Sequence, residues 1–296
     1  MGLFEPAWRL GNEKKALKAV EKESDQAKLF EIAEKAVLSI VRISAVERLD
    51  DQELLASLAK SDEDWSVRSK VVKKLTDQSV LYGIAVDDED FRVCKVAVDR
   101  LTGQTHLSDI IKRHKSHNVR IAATKNLTDQ TILADIATNE RFSSADGLLG
   151  KGMGDEYPDQ VGKFAVHRLT EQPLLLDVAE NAVEWRVRLE AAKRVTDQTL
   201  VQRVYADIVL GGTDSGFEKP EIRAKRNEAF DRIADQYILA NIAKASGNHT
   251  FNRGNSAVSR LTDRAIIADV AQTAIHESVR ARAERRLAEL AGGIVS

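Results

Sequence analysis

The sequence predicts an all-α protein, a right-handed α-solenoid of nine two-helix repeats with a basic period of 26 residues. Three observations lead to this prediction. A glutamine recurs along the 296-residue chain, mostly every 26 residues. Apolar residues follow it at helical spacing, and a second apolar pattern precedes it. The recurring positions are Gln26, Gln52, Gln78, Gln104, Gln130, Gln172, Gln198 and Gln236, with Arg264 in the same place.

The first helix of each repeat is predicted to begin at this glutamine. Apolar residues stand two, three, six and seven positions after it, as in Val80, Leu81, Ile84 and Ala85. This spacing places them on one face of a helix, whereas a half-buried strand would alternate. The Asp or Thr just before the glutamine offers a side-chain oxygen that caps the helix N-terminus. We expect this helix to be about ten residues long.

The second helix of each repeat precedes the next glutamine. Its apolar residues lie eleven, seven, six and three positions before that glutamine, as in Val67, Val71, Val72 and Leu75. An acid followed by an aromatic residue often opens this helix. We expect the acid to cap the helix and the ring to cover the end of the core between the two helices. These pairs are Asp64-Trp65, Asp90-Phe91 and Glu184-Trp185.

The repeats account for nearly the whole chain. Neither short helix would be stable alone in water, so stability is expected from stacking each pair on the next. Nine repeats fill residues 26–289, residues 1–25 form an N-terminal half-repeat that caps the stack, and residues 290–296 are a C-terminal tail. Insertions lengthen the loops between the two helices of three repeats, near residues 143–158, 211–220 and 246–254.

A Val-Arg pair opens several of the second helices, within the pattern Val-Arg-x-x-Ala-Val-x-x-Leu. The pairs are Val41-Arg42, Val67-Arg68, Val119-Arg120, Val187-Arg188 and Val279-Arg280. This pattern resembles the HEAT and armadillo-like α-solenoids, and most of all the short HEAT-like repeats of many bacterial proteins. Two features depart from that family: the unit is 26 residues long rather than roughly 40–47, and its Thr-Asp-Gln connector is unusually regular.

The resemblance implies a scaffold that presents a long concave surface to a protein or peptide. It also implies that the Arg at the start of the second helix bonds neighbouring connectors. Some relatives are enzymes, including HEAT-like alkylpurine DNA glycosylases and bilin lyases, so the resemblance alone leaves the function open.

The composition argues against several classes of function. Lys and Arg number 44 against 46 Asp and Glu, a formal net charge of -2, which disfavours non-specific binding to nucleic acid. No stretch approaches the roughly 18 apolar residues that span a bilayer, and the N-terminus lacks the basic-then-apolar order of a signal peptide. Cys94 is a lone cysteine, which favours a reducing compartment. We therefore expect a cytoplasmic protein with no membrane partner.

A basic residue recurs four positions before the glutamine. It suits either a positively charged binding surface or a local pair with the acid three residues further on, and the local pair is the favoured interpretation. As candidates for partner binding, the members are Arg48, Lys74, Arg100, Arg168, Arg194, Arg232 and Arg260, and Arg286 continues the series.

The three insertions are the second candidate for partner binding. Equivalent loops of a repeat array project from one edge, and inserted loops often carry function there. The alternative, which the sequence supports equally, is a tolerated insertion with no role, because lengthening a surface loop costs little conformational entropy. Gly162 and Gly254 replace the second-helix Arg in two of these repeats. The candidate side chains are Lys151, Tyr157, Phe217, His249 and Arg253.

Residues suited to catalysis form no recognisable constellation. The glycine run at 147–154 lacks the Gly-Lys-Ser/Thr ending of a phosphate-binding loop. His114 and His117, with His106 nearby, have a spacing that a metal could use, but too few further ligands accompany them, and we expect solvated linker histidines. Cys94 stands in the slot of the second-helix Arg and is expected to be a passive thiol. We expect no catalytic residue, no metal and no cofactor.

The favoured function is a non-catalytic scaffold that binds a protein or peptide with its concave face and inserted loops. The alternative is a HEAT-like DNA glycosylase or nucleic-acid-binding protein, although a nucleic-acid partner is disfavoured by the chain's charge. A lyase or a carrier of a small ligand is the least favoured possibility.

Overall fold

The protein is all-α in the computed structural model, which describes residues 6–9, 12–139, 160–211, 220–247 and 250–292. Those residues form nineteen α-helices, one 3-10 turn and no strand. Consecutive helices pack against each other in neighbouring pairs, an arrangement that fits a helical repeat protein. The chain divides into two compact units, Met1–Ile136 and Ala137–Ser296.

The first unit contains the turn Ala7–Arg9 and the helices up to α9, and α10 crosses into the second unit. The helices are α1 Glu13–Lys22, α2 Gln26–Lys35, α3 Ser39–Arg48, α4 Gln52–Ser61, α5 Trp65–Val72, α6 Gln78–Asp87, α7 Phe91–Val98, α8 Gln104–Arg113, α9 His117–Asn126 and α10 Gln130–Asn139.

The second unit contains the remaining helices. They are α11 Gln160–Arg168, α12 Gln172–Asn181, α13 Trp185–Arg194, α14 Gln202–Leu210, α15 Pro220–Asp231, α16 Gln236–Ala245, α17 Phe251–Arg260, α18 Arg264–Thr273 and α19 Glu277–Gly292.

Helix starts agree with the prediction at most of the recurring glutamines. Asp51 precedes α4, and its carboxylate accepts hydrogen bonds from two amides of the first turn, at 3.0 and 3.1 Å. Asp77 does the same for α6. Each such cap stabilises its helix by about 1 kcal/mol. Gly103 and Glu171 precede α8 and α12 without a side-chain cap, because glycine has no side-chain oxygen and glutamate is a poor capping residue.

The predicted helix start at Gln198 is wrong. Residues 198–201 form a turn, and α14 begins four residues later, at Gln202. The Gln198 side chain instead bonds residues on either side of it: Nε2 donates to Ala192 O in α13 at 3.1 Å, and Oε1 accepts from Tyr205 Oη in α14 at 2.8 Å. Gln202 therefore stands in the position that Gln198 was expected to fill.

The core follows the predicted apolar pattern with one refinement. Side chains three, six and seven positions after the glutamine are fully buried, as Leu55, Leu58 and Ala59 show. The position two residues after it is only half-buried, as at Leu54 and Val80. In the first unit the second helices α3, α5, α7 and α9 also pack on one another in sequence. The core thus runs from pair to pair within the unit.

Each glutamine side chain joins the start of its own helix pair to the connector that follows the pair. Gln78 Oε1 accepts from Thr102 N at 2.9 Å, and Nε2 donates to Arg100 O at 3.2 Å. The same two bonds recur at Gln52, Gln172 and Gln236 with the equivalent backbone groups. Gln202 makes them with Ala234 N and Arg232 O. A single side chain thus bonds the connector one repeat ahead, which explains the regularity of the glutamine.

Candidate functional site

The recurring basic residues are bonded to the backbone of the preceding repeat. Arg48 Nη2 donates to Glu23 O at 2.9 Å, and Lys74 Nζ donates to Glu47 O at 2.7 Å. Arg100 Nε donates to Leu75 O at 3.0 Å. Arg194 and Arg260 bond Val166 O and Phe230 O in the same way. Cations placed at these helix C-termini satisfy carbonyls that have no partner within their own helix.

The predicted local ion pair is present at the end of the series but is not the general rule. Arg286 Nη1 lies 3.1 Å from Glu289 Oε2. In earlier repeats the acid caps the next helix, as Asp51 and Asp77 do, and the base reaches for carbonyls instead. Structural bonding therefore accounts for most of these residues, although by a different contact from the one expected.

The remaining candidates have varied positions. The positive charge of Arg232 opposes the rise in the Tyr205 pKa that burial causes. Arg168 ends α11. Arg253 Nη1 donates to Val209 O at 3.4 Å. Lys151, Tyr157, Phe217 and His249 lie outside the described residues.

Two of the arginines that open the second helices, Arg42 and Arg68, form bridges to the next repeat. Arg42 donates to both carboxylate oxygens of Asp62 at 2.8 and 3.0 Å, and to Ala36 O at 3.0 Å. Arg68 contacts Asp88 in the same bidentate way, with both distances 2.9 Å. Bonds from the same arginines to the connectors agree with what the resemblance implied.

In the next repeat of that series, other residues stand in place of both the arginine and the aspartate. Cys94 replaces the arginine, and its Sγ donates to Asp88 O at 3.2 Å, the counterpart of the Arg42 bond to Ala36 O. Burial raises the pKa of the Cys94 thiol to about 11, in agreement with a passive thiol. One repeat further on, His114 takes the place of Asp62 and Asp88, and its Nδ1 accepts from Ser116 N at 2.9 Å.

The expectation of solvated linker histidines is wrong, since His114 is buried and His106 and His117 are half-buried within helices. His114 is only 8 % exposed, and burial lowers its pKa because the charged imidazolium would lose its hydration. His106 lies within α8 and stacks on Tyr82 with 4.5 Å between ring centroids. His117 opens α9. Among the described residues, no three His, Cys, Asp or Glu side chains lie close enough together to hold a metal ion.

A cleft opens between α4 and α6 in the first unit, with a volume of about 680 Å³. Its walls are the ends of these two helices and the connectors that follow them, and Ala59 and Ile84 supply apolar surface. The charged side chains on its walls are Lys60, Asp62, Glu63, Arg68, Asp87, Asp88 and Glu89, and Gly83 completes the lining. Carboxylates therefore outnumber cations in this cleft.

Two partly exposed aromatic residues follow the connectors that line the cleft. Trp65 opens α5 and is 38 % exposed, while Phe91 opens α7 and is 47 % exposed. Both rings reach the surface in part, and the prediction that they cover the end of the core between the two helices stays a prediction. The acids before them cap their helices as predicted. At Glu184, before Trp185, the predicted cap is wrong: this side chain makes no capping hydrogen bond, because glutamate is a poor capping residue.

The Arg92 side chain lies at the surface edge formed by Trp65 and Asp90. Its guanidinium carbon lies 3.6 Å from the Trp65 ring centroid, and its nitrogens contact the two Asp90 oxygens at 2.9 and 2.6 Å. The hydrogen bond from Arg92 lowers the pKa of Asp90 to about 2. The edge thus combines a carboxylate and a ring face around a guanidinium.

Sequence reasoning missed the cleft. A signal was present, because Gly83 lies inside a helix whose counterparts carry an acid at the same position, as at Asp109 and Asp135. None of the described helices is long and apolar enough to cross a bilayer.

Comparisons with known proteins give no family. No family model matches the chain, and no match was found among curated proteins. One solved structure is similar, described as "Computational Design of Self-Assembling Cyclic Protein Homooligomers", with 14 % sequence identity over 95 % of this chain and 92 % of that one. Its TM-score is 0.12, so the similarity carries no argument about fold or function.

Proposed function

We propose that this chain is a non-catalytic repeat protein that binds a protein or peptide partner. The observation that carries the proposal is the edge formed by the cleft between α4 and α6 and the aromatic residues beside it. There, apolar surface, partly exposed rings and charged side chains occur together. Such mixtures are typical of surfaces that bind other proteins.

The contacts of the basic residues also support a scaffold. Arg48, Lys74 and Arg100 donate to carbonyls of the preceding repeat, so their charge serves the stacking of helix pairs. A nucleic-acid-binding protein would need uncompensated cations directed toward phosphates. A DNA glycosylase or other nucleic-acid-binding protein therefore remains the weaker proposal.

We further infer that the helix pairs are nine HEAT-like repeats of right-handed sense and that the protein works in the cytoplasm. The recurring glutamine bonds support the repeats, since the same contact between the start of the first helix and the backbone that follows the second helix occurs in each unit. The reducing compartment rests on the single cysteine, which is buried as a free thiol.

A charge-reversal experiment tests the proposed function. The wild-type chain and a Glu63→Lys, Glu89→Lys variant are immobilised, and proteins retained from cell extract are quantified by mass spectrometry. The retained protein is then purified, and its affinity is measured by titration calorimetry. We expect a stoichiometric complex with wild type that the variant weakens at least tenfold.

Two results would contradict the proposal. One is equal retention by both chains, which would place any binding elsewhere. The other is measurable turnover of a substrate together with the absence of a stoichiometric partner. Salt-sensitive retention of duplex DNA in a mobility-shift assay would favour the nucleic-acid alternative instead.

A further inference from the structure

Gly83 is unusual because its backbone position gives no packing reason for glycine. It lies in the middle of α6, where glycine lowers helix stability relative to alanine. A Cβ added there would meet nothing within 4 Å. By contrast, a Cβ at Gly254 would come within 2.7 Å of Ser246 Cβ. Close approach explains Gly254 and does not explain Gly83.

The counterparts of Gly83 close the groove between successive first helices with a bridge. Asp135 and Asp269 each stand five residues after the recurring glutamine or arginine. Each carboxylate forms an ion pair with a lysine of the preceding first helix. Lys112 Nζ lies 2.8 Å from Asp135 Oδ2, and Lys244 bonds Asp269. Asp109 has the same position and accepts from Tyr82 Oη at 2.6 Å.

Between α4 and α6 this bridge has its lysine but lacks its carboxylate. Lys60 occupies the lysine position of α4, but Gly83 offers no carboxylate in return. Both residues line the cleft. The space that an aspartate side chain fills between α8 and α10 and between α16 and α18 is therefore open between α4 and α6, where the cleft of about 680 Å³ lies.

The charge left over in the cleft is negative. Asp62 and Asp88 are each bound bidentately by an arginine. Asp87 and Glu89 are exposed and form no ion pair among the described residues, and the Glu63 side chain is 91 % exposed. Glu63 also lies 4.0 Å from Arg42 Nη2, so among the cleft residues Lys60 is the cation that stands against Asp87 and Glu89. An incoming cation would thus be attracted, and its aliphatic stem would meet Ala59 and Ile84.

We propose that the cleft beside Gly83 binds an arginine- or lysine-bearing segment of a protein partner, held by Asp87 and Glu89. The inference deepens the proposed function and rests on it. Arg92 shows the same chemistry a few residues away, with its guanidinium held between Asp90 and Trp65. The absence of a side chain at Gly83 makes the room, and the unpaired carboxylates select the charge of the occupant.

The test uses a fluorescein-labelled peptide, acetyl-(Arg-Ala)4-amide, and fluorescence anisotropy on the full chain at low salt. The decisive variant is Gly83→Asp, which restores the missing bridge to Lys60. Added negative charge alone would tighten binding of a basic peptide. If Gly83→Asp closes the cleft, the affinity for the peptide should instead fall at least tenfold, while the circular dichroism spectrum stays unchanged.

Three further variants separate the effect of charge from the effect of closing the cleft. Ser57→Asp adds the same charge at the equivalent exposed position of α4, outside the cleft, and should not weaken binding. Asp87→Asn with Glu89→Gln should weaken it at least fivefold. Lys60→Met in the Gly83→Asp background removes the bridge partner and should restore affinity to at least the wild-type level.

The outcomes separate this inference from the proposed function. Equal affinity of wild type and Gly83→Asp, or equal affinity for the peptide and its acidic counterpart acetyl-(Glu-Ala)4-amide, would overturn the assignment of the cleft. If the partner retained by wild type still binds Gly83→Asp but not the Glu63→Lys, Glu89→Lys variant, the edge is an interaction surface and the cleft assignment is wrong. Loss of the partner in both variants, together with competition by the arginine peptide, supports both.

Discussion

Replacing Gln78 with alanine removes the hydrogen bonds that hold the start of α6 to the connector between α7 and α8, without touching the apolar core. Gln78 Oε1 accepts from Thr102 N and from Thr102 Oγ1, at 2.9 and 3.1 Å, and Nε2 donates to Arg100 O at 3.2 Å. These bonds connect the start of α6 to the connector that follows α7. Because α6 and α7 form one helix pair, the loss of these bonds should loosen the end of that pair and its connector to α8 from the start of α6.

The expected loss follows from the number and exposure of the bonds. A net protein hydrogen bond contributes about 0.5–1.5 kcal/mol, and these bonds lie near the surface, where water replaces them in part. We expect Gln78→Ala to lower the free energy of unfolding by about 1–2 kcal/mol. Gln78→Glu keeps the acceptor for Thr102 N and loses the donor to Arg100 O, so we expect about half that loss.

Urea unfolding followed by circular dichroism gives the global change, and amide hydrogen exchange gives the local one. The Thr102 amide should exchange faster in Gln78→Ala. Gln272 is an exposed glutamine of α18 without such bonds, so Gln272→Ala is the matched control and should change stability by less than about 0.5 kcal/mol. Equal stability of Gln78→Ala and Gln272→Ala would refute the structural role assigned to the recurring glutamine.

Three further predictions concern buried or closely packed groups. Because burial raises the pKa of Cys94 to about 11, we expect its thiol to react with a disulfide reagent at pH 8 at least about 100-fold more slowly in the native chain than in denaturant, and comparable rates would contradict its burial. Because burial lowers the pKa of His114, the unfolded state binds the proton more readily; stability present above the ordinary histidine pKa of about 6.5 should fall as the pH drops below it. Thermal melts should show a flatter pH dependence in His114→Gln, and parallel curves would contradict this. Gly254→Ala should destabilise by about 1–3 kcal/mol, because its Cβ would lie 2.7 Å from Ser246 Cβ, whereas Gly83→Ala should stabilise by up to about 1 kcal/mol. Urea unfolding measures both, and a destabilising Gly83→Ala would show that the site beside it is not open.

The local pattern predicted the helices well and some contacts badly. Helix starts at Gln52 and Gln78 follow from a capping acid and an apolar stripe, both of which act within a few residues. The start at Gln198 failed because Tyr205, seven residues further on, bonds the glutamine side chain back into its own repeat. That competition depends on packing, which a local pattern does not contain.

The sequence by itself determined that the chain is helical and repetitive, because spacing, caps and apolar periodicity are written within each short segment. Only the tertiary structure decided what the recurring polar residues do. Arg48 and its counterparts reach carbonyls in the preceding repeat, and Arg42 finds its carboxylate twenty residues away. The cleft beside Gly83 likewise depends on two helices from different repeats. Such contacts join residues that are distant in the chain, so their chemistry is fixed only when the helices are packed.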